Sequence, residues 1–314
     1  MVNLSTNIGN IRLQNPVMPA SGCFSIEYAQ AMDINRLGAV VLKSVSPVIR
    51  DGNPTPRVCE VRGGMMNSIG IPSKGIDYYK NKVIPEFGHY TTPIVASVSA
   101  HTAESFSKAV KDISETAIVA VEANISCPNL ENDGMAFAMS ADSTYKVVKE
   151  IRKNSDFPLW VKLTPNAANV VDIARAAEEA GADAIVMGNT ILSMAIDIHS
   201  RKPKLGNVMG GLSGPAVKPI AIRMVHQCYK AVNIPIIGCG GITTGEDVIE
   251  FLLAGATAVQ IGTASFLNPN AMVEAIDYIE QYCLQYNIKS LNELVGQVEY
   301  ETTPVNDLKN VISS

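Results

Sequence analysis

The chain has 314 residues, of which 47% are hydrophobic and 18% charged, with a net charge of −5. That length and apolar content suit one large α/β domain with a sizeable core and exclude a disordered or fibrous chain. The acidic balance, with no basic block or stripe, argues against nucleic acid as a partner, and no apolar run reaches the roughly 18 residues of a membrane span.

The start, "MVNLSTNIGNIRLQNP", lacks the apolar core of a signal peptide. Its alternation predicts a small hairpin plugging the bottom of a barrel. Eight short apolar, β-branched runs follow: "PVMPAS" (16–21), "GAVVLKS" (38–44), "PIVASVS" (93–99), "AIVAVEANIS" (117–126), "PLWVKLT" (158–164), "DAIVMGNT" (183–190), "IPIIGCGG" (234–241) and "TAVQIGT" (257–263). Near-continuous apolar runs suit parallel strands buried on both faces. Amphipathic stretches such as "NVVDIARAAEEAGA" and "GEDVIEFLLAGA" separate them. The segments 180–190 and 254–264 repeat one grammar, a helix ending at Gly181 or Gly255 and a strand soon after. Long connections span 45–92 after the second run and 191–233 after the sixth, the latter with a helix near 216–231. Closing helices are expected beyond about residue 268. The pattern predicts a single (β/α)₈ TIM-barrel domain over residues 1–314.

Barrel chemistry sits at the C-terminal ends of the strands. Those ends carry Ser21, Lys43, Ser44, Ser97, Ser99, Asn124, Cys127, Lys162, Asn189, Thr190, Gly240, Gly241, Gly262 and Thr263. One lysine there could simply reach out to water; two beside amides point to a site. The glycine pairs after the seventh and eighth runs offer bare backbone N–H groups near helix starts, a phosphate cradle. "GCGGITTG" is not GxGxxG and follows a late strand, so no Rossmann site is expected. A phosphate site with a lysine-lined rim fits either PLP, held by a Schiff base, or FMN, whose reduced ring a lysine neutralises; spacing does not choose between them.

Cys127 lies between Asn124 and Asn129 and before Pro128. It is either a small buried hydrophobe or a proton-transferring thiol beside orienting amides. Cys23, Cys59, Cys228, Cys239 and Cys283 lack such an amide pair and read as packing residues. No cysteines form CxxC, and His89, His101, His199 and His226 show neither HxH nor HExxH spacing, so no metal or cluster site is expected on this chain. A cytoplasmic protein with reduced thiols is the expectation.

"NISCPN" (124–129), "VKLTPN" (161–166), "MMNSIGIP" (65–72), "GNPTPR" (52–57), "GGLSGPAVKP" (210–219), "IPIIGCGGI" (234–242) and "IGTA" (261–264) together resemble the class 1 dihydroorotate dehydrogenases, to about residue 300. "GGLSGPAVKP" is most similar to the class 1B, NAD-linked catalytic subunit; class 2 enzymes differ in having a serine base and an N-terminal amphipathic extension. The resemblance implies FMN contacted by Ser21, Lys43, Ser44, Ser97, Asn124, Lys162, Gly188, Gly214, Gly240, Gly241, Gly262 and Thr263. It implies a pyrimidine held by Lys43, Asn67, Ser68, Ile69, Gly70, Ile71, Asn124, Asn129, Asn189 and Thr190. Cys127 is the implied base. Three departures stand out. Ser97 replaces the usual Asn against the flavin, Gly188 replaces a larger apolar residue, and "LENDG" follows "SCPN" in place of a Gly-Gly form.

The implied reaction is oxidation of dihydroorotate to orotate, the C5 proton going to Cys127 and the C6 hydride to FMN. The class further implies a partner subunit with FAD and a [2Fe–2S] cluster that passes electrons to NAD⁺, in a heterotetramer built on a homodimer of this chain. Rival expectations are a fumarate-using class 1A enzyme, a flavin barrel acting on tRNA uridine, and a non-catalytic scaffold. The missing basic face opposes the tRNA enzyme, and the intact Lys43, Asn124, Cys127 and Lys162 set opposes the scaffold.

Overall fold

The computed structural model describes residues 2–126 and 136–300. Eight parallel strands build a barrel: β1 (Val17–Pro19), β2 (Val40–Val41), β3 (Ile94–Val98), β4 (Ala120–Asn124), β5 (Leu159–Lys162), β6 (Ala184–Met187), β7 (Ile236–Cys239) and β8 (Ala256–Ile261). Their order is β1-β8-β7-β6-β5-β4-β3-β2. At the seam between β1 and β2 the Gly38 N–H donates to the Val17 carbonyl at 2.9 Å. A Cβ at Gly38 would lie 2.1 Å from the Asn15 carbonyl oxygen, so only glycine passes there. Seven predicted runs hold one of these strands each, and the eighth, 257–263, covers all of β8 but Ala256.

Side chains alternate across the wall. Val121, Val161, Ile185 and Val259 face outward into the core shared with the helices. Val95, Ala120, Trp160, Ala184, Ile237 and Ala258 face inward and form a separate core with Ile8 and Leu13. Those last two come from the N-terminal hairpin, Thr6–Ile8 paired antiparallel with Ile11–Leu13. The hairpin is therefore a plug, as its alternation predicts.

The principal helices are α1 (Ala103–Ser114), α2 (Ala141–Asn154), α3 (Val170–Glu179), α4 (Lys218–Tyr229), α5 (Gly245–Ala254) and α6 (Ala271–Gln285). Thr102, Ser140 and Asn169 cap the first three through side-chain oxygens, and Thr244 with Asp247 forms a capping box on α5. Each such cap stabilises its helix by about 1 kcal/mol. Gly255 ends α5 in the left-handed conformation, and a Cβ there would meet the Tyr229 ring at 2.2 Å. Among the described residues no helix is long and apolar enough to cross a membrane.

The two long connections are not mere loops. Ile191–Met194, Met209–Ser213, Gly64–Asn67 and Val58–Val61 pair in that order as an antiparallel sheet. It joins the connection after β2 to the one after β6, bringing Asn67 and Thr190 to one end of the barrel. Glycine- and methionine-rich segments are weak strand formers, and the pairing is long-range, so local pattern does not announce it.

Candidate active site

Toward the C-terminal end the inward positions turn polar. Ser97 follows Val95 on β3, Glu122 and Asn124 follow Ala120 on β4, Lys162 follows Trp160 on β5, and Gln260 follows Ala258 on β8. The register sets Ser97 beside Glu122 and Asn124 beside Lys162. All five side chains are buried. A buried charge must be paired and hydrogen-bonded, and these are. Lys162 Nζ lies 3.8 Å from Glu122 Oε1 and donates to Gln260 Oε1 at 3.1 Å and to Ser21 Oγ at 3.4 Å. Gln260 Nε2 donates to Glu122 Oε2 at 2.6 Å, and Ser97 Oγ donates to Glu122 Oε1 at 3.1 Å. Burial works most strongly against the Lys162 charge, but the Glu122 carboxylate, Cys239 and Cys23 together more than offset it and hold the ammonium above the ordinary lysine range.

From Ser97 the network continues toward the rim. Ser97 and Ser44 hydroxyls are 2.8 Å apart, and Asn124 Nδ2 donates to Ser44 Oγ at 3.1 Å. Asn124 Oδ1 accepts from Ser126 Oγ at 2.7 Å, and Asn189 Nδ2 donates to Ser126 Oγ at 2.7 Å. Asn189 Oδ1 in turn accepts from the Thr190 N–H at 2.8 Å. Ser21, Ser44, Ser97, Asn124, Lys162, Asn189 and Thr190 are thus brought together.

The remaining rim residues fall into two groups. Asn67 donates through Nδ2 to the Gly211 carbonyl at 3.5 Å. Ser68 Oγ accepts from Asn53 Nδ2 at 2.8 Å and Asn207 Nδ2 at 3.1 Å. The Ile69 carbonyl accepts from the Asn53 N–H at 3.0 Å, and both Gly70 and Ile71 take positive φ. These bonds fix the 67–71 turn as one unit. Lys43 is half-buried, and burial together with the nearby Arg57 cation holds its ammonium below the ordinary lysine range. Cys23 and Cys239 lie near Lys162. Burial, then the neighbouring Cys239, pushes the Cys23 thiol up to about 12 despite Lys162, and burial likewise raises Cys239. Neither is poised as a base.

On the other side three glycine turns meet. Gly214 has φ +105°, and a Cβ there would lie 2.7 Å from Gly64 Cα. Gly241 has φ +77°, and a Cβ there would lie 2.6 Å from the Lys218 backbone nitrogen at the start of α4. Gly240 and Gly188 line one narrow crevice with Met187, Asn189, Val217 and Cys239. Gly262 sits against Cys23, and Thr263 Oγ1 donates to Ser213 Oγ at 2.7 Å. Tight turns that press glycine against neighbouring backbone, beside a buried ammonium and hydrogen-bonded amides, fit a phosphate-bearing flavin. Gly241→Ala is expected to destabilise the chain by about 1–2 kcal/mol, the cost of a non-glycine residue in the left-handed backbone, before its clash with the Lys218 backbone is counted. Thermal denaturation of the ligand-free protein measures this.

Cys127 and Asn129 lie outside the described residues. Strand-end reading missed Glu122, Gln260 and Ser126. The signal was there for the first two: a lone Glu in "AIVAVEANIS" and a lone Gln in "TAVQIGT", two residues and one residue from their strand ends in otherwise apolar runs.

Fold and site define a (β/α)₈ barrel enzyme of the flavin-binding kind. A family model for dihydroorotate dehydrogenase matches residues 3–282. The chain is 48% identical over 299 residues to the dihydroorotate dehydrogenase B (NAD(+)) catalytic subunit of Alkaliphilus metalliredigens, covering 95% of this chain and 99% of that protein. It is 45% identical over 302 residues to the protein of the same description from Bacteroides thetaiotaomicron, covering 95% of this chain and all of that one (100%). The chain belongs to the dihydroorotate dehydrogenase family.

Proposed function

We propose that this chain oxidises dihydroorotate to orotate with FMN at the barrel mouth, as the catalytic subunit of a cytoplasmic, NAD-linked assembly. The observation that carries this reading is Lys162, a buried, carboxylate-paired ammonium at a strand end, with Asn124 and Asn189 in the same network. Bound FMN supplies the hydride acceptor. This chain's residues do the rest. Backbone N–H groups around Gly240, Gly241, Gly262 and Thr263 hold the phosphate, with Gly188 and Gly214 leaving room for the cofactor. Lys162 offers positive charge where negative charge builds on reduction. Asn67, Asn124, Asn129 and Asn189 present donors and acceptors to the amide edges of the pyrimidine, and Lys43 brings a cation to its carboxylate. Cys127 Sγ takes the C5 proton. A free thiol has a pKa of about 8.5, so a few per cent is thiolate at neutral pH, and the rate rises with pH until it is ionised.

The purified protein is expected to hold one FMN and to bleach on addition of dihydroorotate. The lone tryptophan, Trp160, is fully buried two residues from Lys162, so its emission is expected to fall as FMN is added back. A folded, colourless protein that cannot be reconstituted with FMN overturns the reading.

Electron exit needs a second chain, because this sequence has neither a CxxC pair nor a Rossmann fingerprint. A partner carrying FAD and a [2Fe–2S] cluster fills that role, in a heterotetramer centred on a homodimer of this chain. Alone, the chain is expected to reduce artificial acceptors with dihydroorotate but to turn over hardly any NAD⁺ until the partner is added. Steady-state assays with NAD⁺ and with fumarate decide: fast NAD⁺ turnover by the chain alone refutes the partner, and fast fumarate turnover makes it a class 1A enzyme.

A further inference from the structure

We propose that Glu122 is a positioning residue whose two carboxylate oxygens fix the donor–acceptor direction of the hydrogen-bond chains on both sides of the barrel mouth. A carboxylate only accepts. Glu122 Oε1 accepts from Ser97, which uses the one proton of that hydroxyl. The 2.8 Å contact between Ser97 and Ser44 must then carry the Ser44 proton toward Ser97. Ser44 has no proton left for Asn124, so it accepts, and the Asn124 amide turns its Nδ2 to Ser44. Asn124 Oδ1 is thereby left facing Ser126 and Asn189, both of which donate to it. On the other side, Glu122 Oε2 accepts from Gln260 Nε2, so Gln260 Oε1 faces the Lys162 ammonium. One anion therefore sets which edge of Asn124 is a donor, so that its Oδ1 meets the Nδ2 of Asn189, whose own direction the Thr190 N–H fixes, and it sets which edge of Gln260 meets the lysine.

The isosteric variant Glu122→Gln cannot keep both arms. If its NH₂ faces Ser97, that hydroxyl loses its acceptor: either its proton is left unpaired in a buried site, or the serine chain reverses, Asn124 flips, and its NH₂ meets the Asn189 NH₂. If its NH₂ faces Gln260, that amide must flip, and its own NH₂ then meets Lys162. Every choice leaves a buried donor unpaired or set against another donor. Gln260→Glu fails in the opposite sense, setting acceptor against acceptor at the 2.6 Å contact. Exchanging the two residues cures both faults. In Glu122→Gln/Gln260→Glu, the new glutamine donates to the new glutamate and accepts from Ser97. The new glutamate accepts from that glutamine and from Lys162. Charge and hydrogen-bond count are those of the parent chain.

The functional half of this proposal rests on the FMN and orotate reading above; the hydrogen-bond direction does not. Thermal denaturation of the ligand-free chain tests direction, with each single variant expected to melt a few degrees lower and the double variant to recover. Orotate titration and the midpoint potential of bound FMN test the positioning role. Each single variant is expected to lose orotate affinity on the order of tenfold or to displace the flavin potential, and the double variant to return both to within about twofold. A Glu122→Gln protein with parental melting, orotate affinity and potential overturns the proposal. So does a double variant no better than the worse single one. Should a single variant not fold, the double variant decides alone: parental properties support the proposal, and failure to fold overturns it. If the parent chain binds neither FMN nor orotate, the functional reading falls while the melting series still judges the direction.

Discussion

Cys127→Ala is expected to slow flavin bleaching by dihydroorotate by about 10²–10⁴-fold, the usual cost of removing a general base, while FMN stays bound. No nearby thiol can take over, because burial pushes Cys23 up to about 12 and raises Cys239 as well. Cys127→Ser is expected to retain slow bleaching that needs higher pH, since a hydroxyl is the weaker acid. Stopped-flow absorbance of the bound flavin across a pH series measures both. A Cys127→Ala protein that bleaches at the parental rate assigns the base elsewhere.

Lys162→Met is expected to destabilise the ligand-free chain by about 3–5 kcal/mol, the cost of leaving a buried carboxylate without its partner. Glu122 is fully buried, and Lys162 is its only cationic neighbour within 4 Å among the described residues. Because the folded-state pKa of Lys162 is raised, its contribution is fully present below the ordinary lysine value. It is lost only as pH rises through the elevated one. The loss on substitution is therefore expected to be constant through the neutral range. Urea denaturation at several pH values tests this, and Lys162→Met/Glu122→Gln is expected to recover most of the deficit. A single variant as stable as the parent chain would show that Glu122 is solvated by other means.

The barrel is legible in sequence because each of its strands is a short β-branched run closed by small polar residues. The plug is legible because Ile8, Ile11 and Leu13 fall on an alternating pattern. The rim lysines and amides are legible because they interrupt apolar runs at their ends. The layer beneath them was overlooked for a geometric reason. Stepping back two residues from Asn124 reaches Glu122 on the same face, and Gln260 holds the matching inward place on β8, so period-2 alternation applied to the strand ends would have found both. The sheet built from Val58–Asn67 and Ile191–Ser213 has no such local mark. Val58–Val61 and Gly64–Asn67 pair locally as a hairpin, but only the fold brings Asn67 opposite Gly211.

That pairing has a consequence for the order in which the enzyme is made. The strand ending at Asn67 leaves the ribosome early, but its partner, Gly211, follows 144 residues later. Closing so long a loop is favourable only once the barrel strands between them have gathered. A nascent chain stopped after β6 therefore carries Lys43, Asn124, Lys162 and most of the barrel wall, and its 67–71 turn is tied to Asn53, yet Asn207 and the Met209–Ser213 strand are still missing from beside that turn. The sheet over the barrel mouth can therefore close no earlier than the emergence of residues 209–213, when β7 and β8 are still to be made.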